Sequence, residues 1–219
     1  MSIATRLIVF FVLFLNLTLS ISCAQKSIGI FSKAVDVGPV NHKGKTSYDK
    51  NLDTYELSGA GANIWFKKDE FHYAYQKLSG DFVLKANAKL IGEGVDAHRK
   101  LGWMVRSSMD TSAAMICATV HGDGLTAIQF RKKNGEDIEE VKSTIVMPDV
   151  IHLERRGRSF FMSIAKQGEP FWTVEIPDLD FPDEMFAGLF VCSHNADVVE
   201  KAAFWNVEMK GDKAMVAEP

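Results

Sequence analysis

Residues 121–131, HGDGLTAIQFR, decide the fold of this chain. The glycine-aspartate-glycine segment predicts a tight connection between strands, in which the two glycines supply the positive φ angles that a sharp turn needs. The residues that follow alternate, with Thr126, Ile128 and Phe130 on one face and Ala127, Gln129 and Arg131 on the other. The stretch therefore predicts a pair of strands in a β-sandwich, with polar groups on an open face.

The chain after residue 34 reads as short strands separated by turns. Alternating apolar and polar residues predict half-buried antiparallel strands at 70–77 and 81–90. More continuously apolar runs predict the remaining strands, at 101–106, 113–120, 150–154, 159–165, 187–192 and 203–209. Asn134-Gly135 and residues 155–158 are hairpin signals. No segment has a sustained helical period, so the sequence predicts an all-β protein, a two-sheet antiparallel sandwich or jelly roll.

The first 24 residues are predicted to be a signal peptide. Arg6 is their only charge, and the apolar run after it is short for a membrane span. Small residues before Gln25 predict cleavage between Ala24 and Gln25. The alternative is a lipid anchor on Cys23, although the residues before that cysteine fit a lipidation signal imperfectly. Either way the chain is predicted to be exported, to the periplasm or the cell exterior.

The mature chain is expected to form one domain, residues 25–209, with a loose tail at 210–219. Loss of Arg6 leaves 24 basic against 28 acidic residues, a net charge of −4. A mildly acidic exported chain without basic blocks is a poor candidate for binding nucleic acid. Cys117 and Cys192 lie in apolar runs, where they can form a disulfide in an oxidising compartment or remain as buried thiols.

The chain resembles the jelly-roll domains of the concanavalin-A-like lectin/glucanase superfamily. It most resembles the uncharacterised bacterial domains often labelled as Tol-type periplasmic proteins. The resemblance covers most of residues 47–209, and it rests on the segments NIW at 63–65, DEFHYAYQ at 69–76, LSGDF at 78–82, GWMVR at 102–106, residues 121–131, GLFVCSHN at 188–195 and AFWNV at 203–207. It implies a fold, and for many members an accessory role beside carbohydrate-active modules. A structural calcium ion, known in related jelly rolls, is a further expectation, although no acidic loop demands it.

Polar side chains on the predicted open faces suggest a ligand site. The candidate ligand-binding residues are Trp65, Glu70, His72, Gln76, Arg106, His121, Asp123, Gln129 and Arg131. Arginine offers a planar fork of donors that suits carboxylates or vicinal hydroxyls. Trp65 is the best candidate for stacking on a sugar ring, whereas Trp103 is predicted to lie in the core. If the strand faces converge, at least part of each arginine is expected to be accessible; a structural network with Glu70 or Asp123 is the alternative.

Two functional classes remain open. A non-catalytic carbohydrate-binding or accessory domain agrees with the resemblance and with the missing pair of catalytic carboxylates. The nearest acidic run, EIPDLD at 175–180, contains a proline that disfavours a central strand. The alternative is a polysaccharide hydrolase or lyase with His72, Arg106, His121 and Arg131 at its centre. The expected partner in either case is a glycan.

Overall fold

The computed structural model describes residues 28–214, which contain strands and no helix, and hence no helix able to span a membrane. The predicted signal peptide, the Ala24/Gln25 cleavage site and Cys23 lie outside the described residues. The strands are β1 (Lys33–Val37), β2 (Lys45–Asp49), β3 (Thr54–Gly61), β4 (Ile64–Trp65), β5 (Lys68–Asp69), β6 (Phe71–Ile91), β7 (Lys100–Arg106), β8 (Met115–His121), β9 (Thr126–Arg131), β10 (Glu139–Lys142), β11 (Val150–Arg156), β12 (Ser159–Ala165), β13 (Trp172–Ile176), β14 (Met185–Cys192) and β15 (Asn195–Ala214).

These strands form a two-sheet antiparallel β-sandwich. The front sheet has the order β10-β9-β8-β7-β14-β6-β1, and the back sheet has the order β2-β3-β15-β6-β11-β12-β13. Strand β6 belongs to both. Its first half pairs with β14 and β1, whereas its second half pairs with β11 and β15. The predicted all-β jelly roll is therefore confirmed.

Gly80 lies at the change of partners within β6. Its φ of +70° is a conformation that glycine adopts without the steric cost other residues incur. Sequence alternation predicts two strands here, 70–77 and 81–90, but the structure joins them in one strand of 21 residues. The Leu-Ser-Gly-Asp segment that reads as a turn in the sequence is instead the place where one strand passes from sheet to sheet.

The main core lies between the sheets. Trp103 and Ile116 contribute from the front sheet, and Leu84, Leu153 and Phe160 from the back sheet. Trp103 is fully buried, as predicted. A second apolar cluster covers the opposite face of the front sheet and includes Phe71, Tyr73, Met104, Cys117 and Cys192. Strands β7, β8 and β9 are consequently buried on both faces, which explains their long apolar runs.

Some local details differ from the prediction. In the turn between β8 and β9 only Gly124 has a positive φ, +91°, whereas a Cβ at position 122 would lie 2.7 Å from Cγ of Arg99. Asn134-Gly135 belongs to a longer connection between β9 and β10 rather than to a two-residue turn. Strand β15 continues to Ala214, where it pairs with Leu78, so it includes the first residues of the predicted tail.

Candidate functional site

Arg106 and Arg131 lie on the outer face of the front sheet, where they share one carboxylate. Asp69 Oδ1 and Oδ2 accept hydrogen bonds from Nη2 and Nη1 of Arg131 at 2.8 and 3.0 Å. Nη2 of Arg106 donates to Oδ2 of the same carboxylate at 3.3 Å. All three side chains have 0% exposure, and burial lowers the pKa of Arg106. The expectation that the arginines are accessible is therefore wrong.

The cover over the arginines comes from the hairpin formed by β4 and β5. This hairpin follows β3 directly and places Asp69 above the front sheet, while the carbonyl of Phe66 accepts a further bond from Nη2 of Arg131 at 2.8 Å. Strand alternation correctly assigns both arginines to the same side of the sheet, but it carries no information about which segment lies on top. The arginines act as anchors for the hairpin, and they are closed to a ligand.

His72 and Gln76 lie on the other face of the front sheet, toward the back sheet. Nδ1 of His72 is 2.7 Å from Oδ1 of Asp36, and its Nε2 is 2.8 Å from the hydroxyl of Thr46 in β2. Burial lowers the pKa of His72, although Asp36 partly opposes this effect. The amide of Gln76 donates to the sulfur of Met209 at 3.4 Å. Neither residue joins Arg106 and Arg131, so the predicted cluster does not assemble as a whole.

Glu70 and Asp123 serve their own loops. The Glu70 carboxylate accepts a bond from the backbone N–H of Ala62 at 3.2 Å. The Asp123 carboxylate accepts one from the N–H of Leu125 at 2.9 Å and is exposed. The position of Asp123 is therefore explained by its role in a solvent-exposed turn, without a ligand. No group of three or more His, Cys, Asp or Glu side chains within residues 28–214 is arranged to hold a metal ion.

Three of the predicted residues do meet. Trp65, His121 and Gln129 line a cavity of about 250 Å³ beside the hairpin, on the outer face of the front sheet. We call it the lysine cavity, because Lys100 lies in its wall. The other lining residues were not among the candidate ligand-binding residues; they are Asn63, His98, Lys100, Leu125, Glu140, Lys142 and His194.

Lys100 is the first residue of β7 and is only 2% exposed. Its Nζ donates to Oδ1 of Asn63 at 3.1 Å and lies 3.5 Å from the carbonyl of Ile64. Burial lowers its pKa. Alternation along β7 places Lys100 on the same face as Gly102, Met104 and Arg106. The same pattern that singled out Arg106 could therefore have identified this lysine.

Two hydrogen-bond acceptors in the cavity wall have no partner among the described residues. The Gln129 amide N–H donates to Oε1 of Glu140 at 2.8 Å, but its Oε1 is buried and unpaired. In His121 the ring Nδ1 lies 3.0 Å from the carbonyl of Leu125, which can only accept, so the proton belongs on Nδ1 and Nε2 carries a lone pair. Burial, together with the nearby charge of Lys100, lowers the pKa of His121 to about 4. The imidazole is therefore neutral near pH 7.

Two further imidazoles lie at the mouth of the cavity. The ring of His98 is 6.0 Å from that of His121 and 5.4 Å from that of His194, measured between centroids. His194 has a φ of +58°, which is unusual for a residue with a side chain, and its Nδ1 lies 3.3 Å from a carboxylate oxygen of Asp96. Backbone strain of this kind is common at functional sites.

Trp65 separates the lysine cavity from a second, shallower depression. That depression has a volume of about 560 Å³ and is bordered by Phe66, Glu70 and Asp137 as well as by Trp65. Phe66 is 68% exposed, with a φ of +49°, and its ring packs edge-on against Trp65 at 6.5 Å. The hairpin that buries Asp69 thus presents two aromatic rings at its tip.

Cys117 and Cys192 are free thiols, and both are fully buried beneath the hairpin side of the front sheet. The sequence left open a disulfide or two buried thiols, and the structure has two buried thiols. Burial raises the pKa of each thiol to about 11.

The sequence matches no family model and no curated protein. Solved structures do match. A functionally unknown protein from Saccharomyces cerevisiae aligns with a TM-score of 0.62 at 10% identity, over 85% of this chain and 98% of that one. The carbohydrate-binding module CBM66 from Bacillus subtilis aligns with a TM-score of 0.53 at 18% identity, over 83% and 97%. The lectin UEA-II, complexed with galactose, aligns with a TM-score of 0.51 at 10% identity, over 81% and 97%.

Identities this low show the fold alone. The chain is a two-sheet antiparallel jelly roll, and it spans nearly the full length of these three structures. The same architecture occurs in a carbohydrate-binding module, a lectin and a protein of unknown function, so the fold by itself does not define the activity of this chain.

Proposed function

We propose that this domain is an exported carbohydrate-binding or accessory module that holds a sugar residue in the lysine cavity. The observation that carries the proposal is the buried Oε1 of Gln129, which has no partner among the described residues and lies in the wall of the same cavity as His121. A buried acceptor without a donor costs roughly 1–3 kcal/mol, so a ligand that supplies donors relieves that cost. Sugar hydroxyls both donate and accept hydrogen bonds and therefore suit this wall.

The size and lining of the cavity support the same conclusion. Its volume of about 250 Å³ lies just below the range of roughly 300–1,000 Å³ typical of drug-sized ligands, which suits a single sugar ring. Trp65 forms one side, and an indole ring offers a flat apolar surface to the C–H face of a sugar. Lys100 and Asn63, which are joined by a hydrogen bond of 3.1 Å, add polar groups to the lining. Two walls of different chemistry would orient a bound ring.

Binding is favoured over hydrolysis. Glycoside hydrolases use two carboxylates about 5–9.5 Å apart. Among the described residues, Glu140 is the only carboxylate that lines the lysine cavity, and its oxygens are engaged by Gln129 at 2.8 Å and Lys142 at 3.5 Å. A glycan lyase would need a base whose pKa is near the working pH, and the pKa of His121, about 4, is far below it. The arginines proposed as charge-neutralising groups are sealed by Asp69.

A glycan array probed with the mature protein, followed by calorimetry on each hit, tests the proposal. Trp65→Ala should weaken binding at least tenfold, about 1.4 kcal/mol. Phe66→Ala is the matched control, because Phe66 neighbours Trp65 but does not line the lysine cavity. An array without hits would contradict the proposal, and so would a ligand whose affinity is the same in Trp65→Ala and wild type.

A further inference from the structure

Lys100 is a buried cation without a carboxylate partner. Its two hydrogen-bond partners, Oδ1 of Asn63 and the carbonyl of Ile64, are neutral, and within residues 28–214 no Asp or Glu oxygen lies within 4.0 Å of its Nζ. Two other buried cations lie beside carboxylates: Arg99 is 2.7 Å from Glu200, and Arg131 is 2.8 Å from Asp69. Arg155, in contrast, donates to three backbone carbonyls at 2.9–3.0 Å, whereas Lys100 has one side-chain amide oxygen and one carbonyl at 3.5 Å. A buried charge is normally paired, because leaving it unpaired is costly.

The remaining charges around the lysine cavity do not neutralise this lysine. Glu140 is already held by the Gln129 amide and by Lys142. Asp96, at the mouth, lies beside His194. Among the side chains that line the cavity, Lys100 and Lys142 outweigh Glu140 by one positive charge, without counting the imidazoles of His98 and His194. An anionic group on a ligand would balance this positive charge.

The cavity also requires donors from its ligand. Oε1 of Gln129 is buried and unpaired, and Nε2 of His121 is an acceptor that lines the same cavity. A free sulfate ion, or a fully ionised phosphate ion, has oxygens that only accept, so it would satisfy the lysine and leave these two atoms without donors. A sugar acid carries a carboxylate and hydroxyl donors on the same ring. Its chemistry matches all three groups at once.

We propose that the lysine cavity binds an acidic sugar of the uronic acid class, with the carboxylate paired to Nζ of Lys100 and ring hydroxyls donating to Gln129 and His121. This inference rests on the proposed glycan-binding function and specifies its ligand. The carboxylate also compensates for the burial of the ammonium group, which lowers the pKa of the free lysine. Neutral sugars can fill the same volume but leave the lysine unpaired.

The test compares uronides with their methyl esters, because esterification removes the charge and keeps the sugar skeleton. Calorimetry with trigalacturonate, triguluronate, trimannuronate and triglucuronate, each as free acid and methyl ester, should find at least one acid that binds ten or more times tighter than its ester. Lys100→Met, which keeps the length of the side chain without its charge, should abolish that preference. Lys133→Met is the control, since Lys133 is exposed and does not line the lysine cavity.

The comparison on the wild-type protein stands even if Lys100→Met fails to fold. Equal affinity for acid and ester would overturn the uronate assignment while leaving glycan binding intact. Binding of neutral array glycans with none of the uronides would do the same. Equal or tighter binding of a sulfated galactan would show that any anion suffices and would also overturn it. Absence of binding to every glycan would remove the proposed function together with this inference.

Discussion

The carboxylate of Asp69 and the guanidinium of Arg131 form a two-point ion pair, with N···O distances of 2.8 and 3.0 Å and no exposure to solvent. Arg106 shares the same carboxylate. The pair joins a short hairpin to the front sheet and thereby fixes Trp65, four residues before Asp69, at the edge of the lysine cavity. The structural anchor and the candidate binding wall are parts of the same hairpin.

Asp69→Asn should strongly destabilise the protein. The substitution keeps the shape of the side chain but leaves two buried guanidiniums without a counter-charge, and removal of one partner from a buried ion pair costs roughly 3–5 kcal/mol. Urea denaturation measures the loss in free energy of unfolding. Asp137→Asn, a change of the same chemistry at an exposed position near the hairpin, should stay within about 0.5 kcal/mol of wild type. A loss below about 1 kcal/mol for Asp69→Asn would contradict the role given to this pair.

His121 should make stability depend on pH between about 4 and 6.5. The folded protein favours the neutral imidazole, with a pKa near 4 against an ordinary value of 6.5. Its contribution is therefore complete above pH 6.5 and declines as the pH falls toward 4, because the unfolded chain binds the extra proton first. A shift of this size corresponds to about 3 kcal/mol.

His121→Asn isolates that contribution, since His72 and His152, whose pKa values burial also lowers, remain in both proteins. The stability of wild type minus that of the variant should fall by about 3 kcal/mol between pH 7 and pH 4. Denaturant melts at several pH values measure the difference. A difference that stays constant over this range would show that His121 titrates normally.

Cys117 and Cys192 should be unreactive in the folded protein. Both are fully buried, and both have a pKa of about 11, so almost no thiolate is present at pH 8. A chromogenic disulfide reagent should detect no fast-reacting thiol in the native mature chain and two thiols after denaturation. Rapid labelling of the native protein, or a peptide map with a disulfide between these two cysteines, would be the opposite result.

Gly188→Ala should destabilise the front sheet. A Cβ at this position of β14 would lie 2.0 Å from the carbonyl oxygen of Ala74 and 2.7 Å from Cα of Tyr75, and backbone atoms in a paired strand cannot move aside cheaply. Overpacking costs typically 1–3 kcal/mol, and contact with backbone places this change at or above the upper end. In Gly211→Ala the nearest neighbour of the new Cβ would be the Phe82 side chain at 3.1 Å, so this substitution should lower the melting temperature less than Gly188→Ala does. Equal melting temperatures would contradict this packing.

The fold could be predicted from sequence because period-two alternation is a local property. It located β9 and β12 to the residue, and β7, β8, β11 and β14 within two positions, but it did not predict β1–β5, β10 or β13. It divided β6 in two, because a glycine where a strand bends between sheets looks the same in sequence as a glycine in a turn.

The site was only partly predictable. Alternation places Arg106 and Arg131 on the same face of the front sheet. Whether that face is exposed to solvent depends on the β4–β5 hairpin, which lies more than 30 residues away in the chain. His72 was wrongly grouped with them, because alternation gives relative sides within one strand and does not relate one strand to another. Lys100, His98 and His194 come together only through the topology that places β7 between β8 and β14.

The β4–β5 hairpin is short, and the ion pairs of one carboxylate hold it on the sheet. Its tip, residues 65–67, belongs to neither of the two apolar clusters of the sandwich. It nevertheless supplies the aromatic surface beside the lysine cavity. The tip can accordingly diverge in evolution, or be exchanged by an engineer, while Asp69 keeps it docked. In the proposed site the hairpin tip supplies the aromatic wall, whereas Lys100, His121 and Gln129 of the front sheet supply the polar one.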